Sequence, residues 1–160
     1  MEVLRVLNVA PTQLHPNSWA AIQAFRLLCD VLSLRATARS FLHFFGTRLG
    51  DRIGWLSLVD QSKNSLFASY TTSYKNFKTG FFKVVIEEGG RQFVFDGETP
   101  KFPFYWTKDL ARFNAWPRSL MTDDDLEVLS MLDQLPRKIP TRSLACAYLS
   151  INRCVDVDGM

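Results

Sequence analysis

The chain has 160 residues, 47% of them hydrophobic and 22% charged, with a formal net charge of +3. That length buries enough surface to fold as one domain without metal or disulfides, and the composition excludes a disordered chain. The mild positive balance permits contact with nucleic acid without requiring it.

Further limits come from residue usage. Three cysteines, Cys29, Cys146 and Cys154, lack metal-ligand spacing, and Cys29 and Cys146 read as small buried hydrophobes in a reducing compartment. Met1–Ala10 is amphipathic rather than a signal peptide, and no run approaches 18 apolar residues. The expectation is therefore an intracellular chain, nuclear or cytoplasmic, with no membrane partner. Thirteen Phe, four Trp and four Tyr predict a bulky aromatic core.

In chain order, Val3, Leu4, Val6 and Leu7 predict the last turns of a helix that ends before Pro11. Because the apolar pattern begins at the first residue, residues 1–150 read as one N-terminally incomplete domain. Gln13–Trp19 reads as a loop with Asn17 or Ser18 as N-cap. Trp19, Ile22, Phe25, Leu28, Cys29 and Leu32 then fall on one helix face at steps of three and four. Thr37 is the expected cap of a second helix, with Ala38, Phe41, Leu42 and Phe45 inward and Gly46 in the left-handed position that ends it. After Gly54 come four short β-like runs: Trp55–Val59, Leu66–Tyr70, Phe81–Ile86 and Gln92–Phe95. Gly89-Gly90 marks a hairpin between the last two. Pro100–Trp106 reads as an irregular packed segment. Thr122 followed by Asp123-Asp124-Asp125 opens another helix, carrying Leu126, Leu129, Leu132 and Leu135, which Pro136 stops. Pro140 starts a last helix to about Ser150, and residues 151–160 read as a loose tail. The predicted class is α+β: N-terminal helices, a central small antiparallel sheet of three to four short strands, and C-terminal helices.

No catalytic constellation stands out. Asp123, Asp124, Asp125 and Glu127 could be read as metal ligands, but neighbouring carboxylates on one turn diverge, and capping with dipole stabilisation accounts for them. His15 and His43 have no partner at ligand spacing, and structural bonds to backbone groups explain both. The motifs of aspartic proteases, of serine hydrolases with a nucleophile elbow and of phosphate-binding glycine loops are all missing. No cofactor, metal or small-molecule substrate is indicated. The strongest chemical signal is basic and aromatic. Lys63, Lys75, Lys78 and Lys83 lie in an acid-free stretch interleaved with Tyr70, Tyr74, Phe77, Phe81 and Phe82. Single-strand binders use that pairing for phosphate contact and base stacking, which makes Lys63, Lys75, Lys78, Lys83, Tyr74 and Phe77 candidate contacts to RNA or single-stranded DNA. The competing account is a strand pair with lysines on its wet side.

Several segments also carry a family likeness. Leu14-His15-Pro16-Asn17-Ser18-Trp19 with Phe25 and Leu28-Cys29, Phe41–Phe45, Gly54-Trp55, and Tyr74-Lys75-Asn76-Phe77-Lys78 before Phe81-Phe82-Lys83-Val84 occur in that order. Together with Phe102-Pro103-Phe104-Tyr105-Trp106, this pattern resembles the plant gypsy-type transposon domain family, which carries a transposase label, over about residues 5–150. The resemblance implies a retrotransposon origin and no catalytic triad. The chain departs from the family in starting late and in ending on an unrelated tail, as a truncated copy would. The resulting expectation is a non-catalytic, gag-like domain acting in protein assembly, by self-association, or in association with nucleic acid. The alternatives are an accessory or degenerate domain of a transposition enzyme whose catalytic part lies elsewhere, and a folded relic without activity.

Overall fold

The computed structural model describes residues 2–50, 54–61, 65–69, 85–144 and 146–147. The fold is α+β. Three helices come first: α1 (Glu2–Leu7), α2 (Pro16–Val31) and α3 (Ala38–Phe44). Strands β1 (Phe45–Leu49) and β2 (Leu56–Asp60) follow. A peripheral group then contains α4 (Arg91–Val94), β3 (Phe95–Asp96) and β4 (Thr99–Pro100), and α5 (Asp123–Asp133) returns to the core.

The main core is built where helical periodicity turns rings inward. Phe25 of α2, Phe41 and Phe44 of α3, Phe45 of β1 and Phe67 are all buried together with Leu28, Cys29, Leu42 and Leu66. Leu129 and Leu132 of α5 close the cluster. Phe41 stacks on Phe45 at 4.7 Å and meets Phe25 edge-on at 5.3 Å, the offset and T-shaped geometries that ring quadrupoles favour. A smaller cluster of Leu4, Val9, Leu14 and Leu56 sits under α1. Phe25, Leu28 and Cys29 fall on the face of α2 that the spacing predicts, with Trp19, Ile22 and Leu32 half-buried at its margin.

Caps decide where these helices begin. Thr37 accepts a bond from Ser40 N, and Thr122 accepts one from Asp125 N, as the sequence leads one to expect. The N-cap of α2 is His15 rather than Asn17 or Ser18, its Nδ1 accepting from Asn17 N at 3.2 Å. Pro16 at the first helical position presets φ and starts the helix earlier than the cap residues suggest. Ser18 is buried instead and accepts from Leu58 N at 2.9 Å, tying α2 to β2.

The sheet differs from expectation. Among the described residues there are two separate two-stranded antiparallel sheets, β1–β2 and β3–β4, and no single sheet of three or four strands. The strand expected at Trp55–Val59 is β2, one residue later. Its partner β1 is a strand where a helix end was expected. Phe45 is extended at φ −124° and ψ 132°, and Gly46 pairs with Val59. Glycine is needed there for close approach and not for a left-handed turn. A methyl group at Gly46 would lie 2.9 Å from the Phe113 carbonyl oxygen.

Leu66 and Phe67 are buried, but their segment pairs only through an isolated parallel bridge from Phe67 to Ile139. Residues 81–84 of the next expected strand lie outside the described residues, and Val85-Ile86 are irregular. Gly89-Gly90 belongs to a 3-10 turn, and Gln92–Val94 is helical. The hairpin comes later, at Asp96-Gly97, where Gly97 adopts φ +59° between β3 and β4. Asp-Gly is itself a hairpin signal, and glycine at the first central position supplies the positive φ that an L side chain resists. Beyond α5, residues 141–144 and 146–147 are helical, with Leu144 N bonded to Pro140 O. The tail at 151–160 and the extension toward Ser150 fall outside the described residues. No described helix is long and apolar enough to cross a membrane.

Candidate functional site

The six residues singled out from sequence, Lys63, Tyr74, Lys75, Phe77, Lys78 and Lys83, lie outside the described residues. The acidic run is described. Asp123 and Asp124 are exposed, whereas Asp125 is only 3% exposed and joins two helix starts. Its carboxylate accepts from Thr37 Oγ1 at 2.6 Å and from Thr122 Oγ1 at 2.9 Å, with Arg39 Nη1 at 3.8 Å. Burial pushes this carboxyl up. The bonds from Thr37 and Thr122 and the Arg39 guanidinium outweigh burial and hold it below the ordinary carboxylate value. Asp125 is thus a structural anion that locks α3 to α5.

The remaining titratable candidates are also held by structure. His43 Nδ1 lies 2.9 Å from the Trp116 carbonyl oxygen, which can only accept, so the proton of the neutral ring sits on Nδ1. Burial, aided by Asp30, pushes the Cys29 thiol up to about 12 against a smaller opposing pull from Arg26, leaving it inert as a nucleophile. Cys146, expected to be buried, is exposed. Among the described residues no group of three or more His, Cys, Asp or Glu is placed to hold a metal ion.

Packing of α1 and α5 against the start of α3 creates a feature that no linear stretch announces. Two adjoining depressions, of about 400 and 410 Å³, share Glu2, Arg35, Thr37 and Ala38 along their border. The first has a floor of Phe25, Phe41, Ile22 and Val3 and a rim of Trp19, Gln23, Arg26 and Arg35. Trp19, Ile22, Gln23 and Arg26 come from one face of α2 because they repeat at three- and four-residue steps. The second depression takes Arg5 from α1, Arg39 from α3, Trp116, and the carboxylates of Asp124 and Asp125 from α5.

Three of the four arginines have partners. Arg5 pairs with Glu2 at 3.8 Å, and Arg26 pairs with Asp30 at 3.1 Å on an exposed helix face. Arg39 lies over the Trp116 ring, 5.6 Å from its centroid. Arg35, exposed on the α2–α3 connection, makes no ion pair with a described residue. Such a groove can take an anion by guanidinium contacts and a flat apolar group by its rings.

The available sequence signal was the charge type of the first fifty residues. Arg5, Arg26, Arg35, Arg39 and Arg48 stand there against Glu2 and Asp30, with no lysine. No family model matches the chain, and neither a curated protein nor a solved structure matches it.

Proposed function

We propose that this chain is a non-catalytic, gag-like domain of gypsy-type retrotransposon origin that associates with nucleic acid. The observation that supports the reading best is that Arg5, Arg26, Arg35 and Arg39, with Trp19 and Trp116, line two adjoining depressions that also hold Glu2, Asp124 and Asp125. Arginine provides bidentate phosphate contact and indole a stacking surface, the two components of single-strand binding. The buried carboxylate Asp125 is engaged in capping, in keeping with a domain that binds rather than reacts. The basic-aromatic stretch of Lys63, Lys75, Lys78 and Lys83 with Tyr74 and Phe77 would extend the same chemistry.

The test is the salt dependence of affinity for single-stranded RNA, followed by fluorescence anisotropy. Binding should weaken steeply between about 50 and about 200 mM salt, by a slope of roughly 0.7 per phosphate neutralised. Arg5→Glu with Arg35→Glu should weaken it further, and Lys75→Glu with Lys78→Glu tests the second surface separately. A folded protein that binds neither RNA nor single-stranded DNA at low salt would end the reading.

A further inference from the structure

We infer that the first depression, between α1, α2 and the α2–α3 connection, accommodates one unpaired nucleotide, with its base on the apolar floor and its phosphate on Arg35. The inference rests on the nucleic-acid reading above and assigns that reading a specific subsite. Its floor of Ile22, Phe25 and Phe41 suits a flat, weakly polar group, whereas the Arg35 guanidinium at its rim suits an anion. A ligand that is apolar throughout leaves Arg35 without a partner, and inorganic phosphate leaves the floor wet. A nucleotide satisfies both ends, and about 400 Å³ lies within the ordinary range for sites that take small organic molecules.

Three further observations agree. Trp19 is half-buried, and its indole N–H already donates to Pro11 O at 3.3 Å, which orients the ring beside the mouth. The Gln23 side chain, which lines the depression, makes no hydrogen bond to a described residue, so its amide can both donate to and accept from a base edge. Arg35, without an ion pair among the described residues, is the cation at the border of the two depressions, from which a strand would continue toward Arg5 and Arg39. Beside the first depression the acids are engaged, Glu2 with Arg5 and Asp30 with Arg26, while Asp124 and Asp125 line the second.

An acidic peptide with an aromatic side chain is the competing ligand class. The depression is lined by helices α1, α2 and α3 and by Arg35, Ala36 and Thr37 of the α2–α3 connection, and no described strand edge lines it. Peptides that bind in extended form draw affinity from such an edge, whereas a nucleotide needs only side chains.

The experiment uses the whole chain with AMP and UMP as probes in calorimetry, and with a fluorescent single-stranded RNA in competition. Both mononucleotides should bind and displace the RNA, with adenosine and inorganic phosphate each at least about tenfold weaker, since each retains one half of the contacts. Arg35→Ala should weaken AMP by about tenfold, the loss of a charge-assisted hydrogen bond, with an unchanged circular dichroism spectrum. Gln23→Ala should reduce binding less, and Arg48→Ala, outside the groove, should leave it unaltered. RNA binding that persists in Arg35→Ala and resists competition by AMP and UMP overturns the subsite while leaving the nucleic-acid reading in place. Absence of binding by both RNA and mononucleotides overturns both. Displacement of a bound probe by an acidic aromatic peptide but not by nucleotides would assign the depression to a peptide instead.

Discussion

Two parts of this molecule both carry many aromatic residues and use them in opposite ways. In the helical part, Phe25, Phe41, Phe44, Phe45 and Phe67 are all at most 6% exposed and touch one another. Residues 85–124 contain no buried residue. Phe93 is 71% exposed and Tyr105 is 86% exposed. Phe95, Phe102 and Phe104 meet edge-to-face, with Phe104 exposed and Phe95 and Phe102 only half-buried. Composition therefore says how many rings a chain has, and the periodicity of the element carrying them decides which are removed from water.

The attachment of the two parts differs as well. The helical part is held by apolar contact, whereas the peripheral segment adds polar hooks to the partly buried Phe102, Leu110, Phe113, Trp116 and Met121 that it packs on the core. Gln13, fully buried, donates to Thr107 O at 2.9 Å and accepts from both Thr107 N and Ala10 N. Thr47 Oγ1 accepts from Phe113 N at 2.6 Å, and Trp116 N donates to Leu42 O at 2.8 Å. Trp106 donates to Thr12, and Thr107 donates to Asn8 O.

The largest effect should come from Phe41→Ala, which removes a ring at the centre of the buried cluster. A loss of about 3–5 kcal/mol in denaturant unfolding is expected, and a loss below about 1 kcal/mol would show that the cluster is not the main source of stability.

Acid should act next, through the carboxylates that brace the helical part. Asp125 and Asp133 are both held low. In each case burial raises the carboxyl and is outweighed, by Thr37, Thr122 and Arg39 for Asp125 and by Arg118 and Arg137 for Asp133. A folded value below the unfolded one means that their stabilisation is present above the unfolded carboxylate pKa, about 3.9 for Asp, and is lost as pH falls through the folded value. Asp125→Asn should flatten that acid limb in denaturation curves from neutral pH to about pH 3. A variant with the parent's full acid sensitivity would remove Asp125 as its source.

Gln13→Ala should cost about 1–3 kcal/mol, because it leaves Ala10 N and both Thr107 backbone groups without their partner. Its signature is local: faster hydrogen exchange and proteolysis around residues 100–116, with the helical amides still protected. Loss of protection in both parts together would break the division drawn above. Phe93→Ala, at an exposed ring, should fall within about 0.5 kcal/mol of the parent. A larger loss would mean that the peripheral rings have packing partners of their own.

Sequence alone determined what is local in this protein. Thr37 and Thr122 cap their helices, the Asp123–Asp125 run serves a helix start, and the steps of three and four in α2 select its buried face. Each follows from hydrogen bonding or periodicity within a few residues. Tertiary structure decided the rest. Phe45 continues the apolar spacing of α3 yet enters β1, because pairing with β2 and the approach of Phe113 outweigh one more helical turn. Asp125 gains its second partner, Thr37, from 88 residues away. The excess of arginine in the first fifty residues was legible but its gathering was not, since Arg5, Arg26, Arg35 and Arg39 lie on α1, α2, the α2–α3 connection and α3. Only the packing of those elements brings their charges to one surface, because like charges spread along a chain carry no local signal of where the fold will gather them.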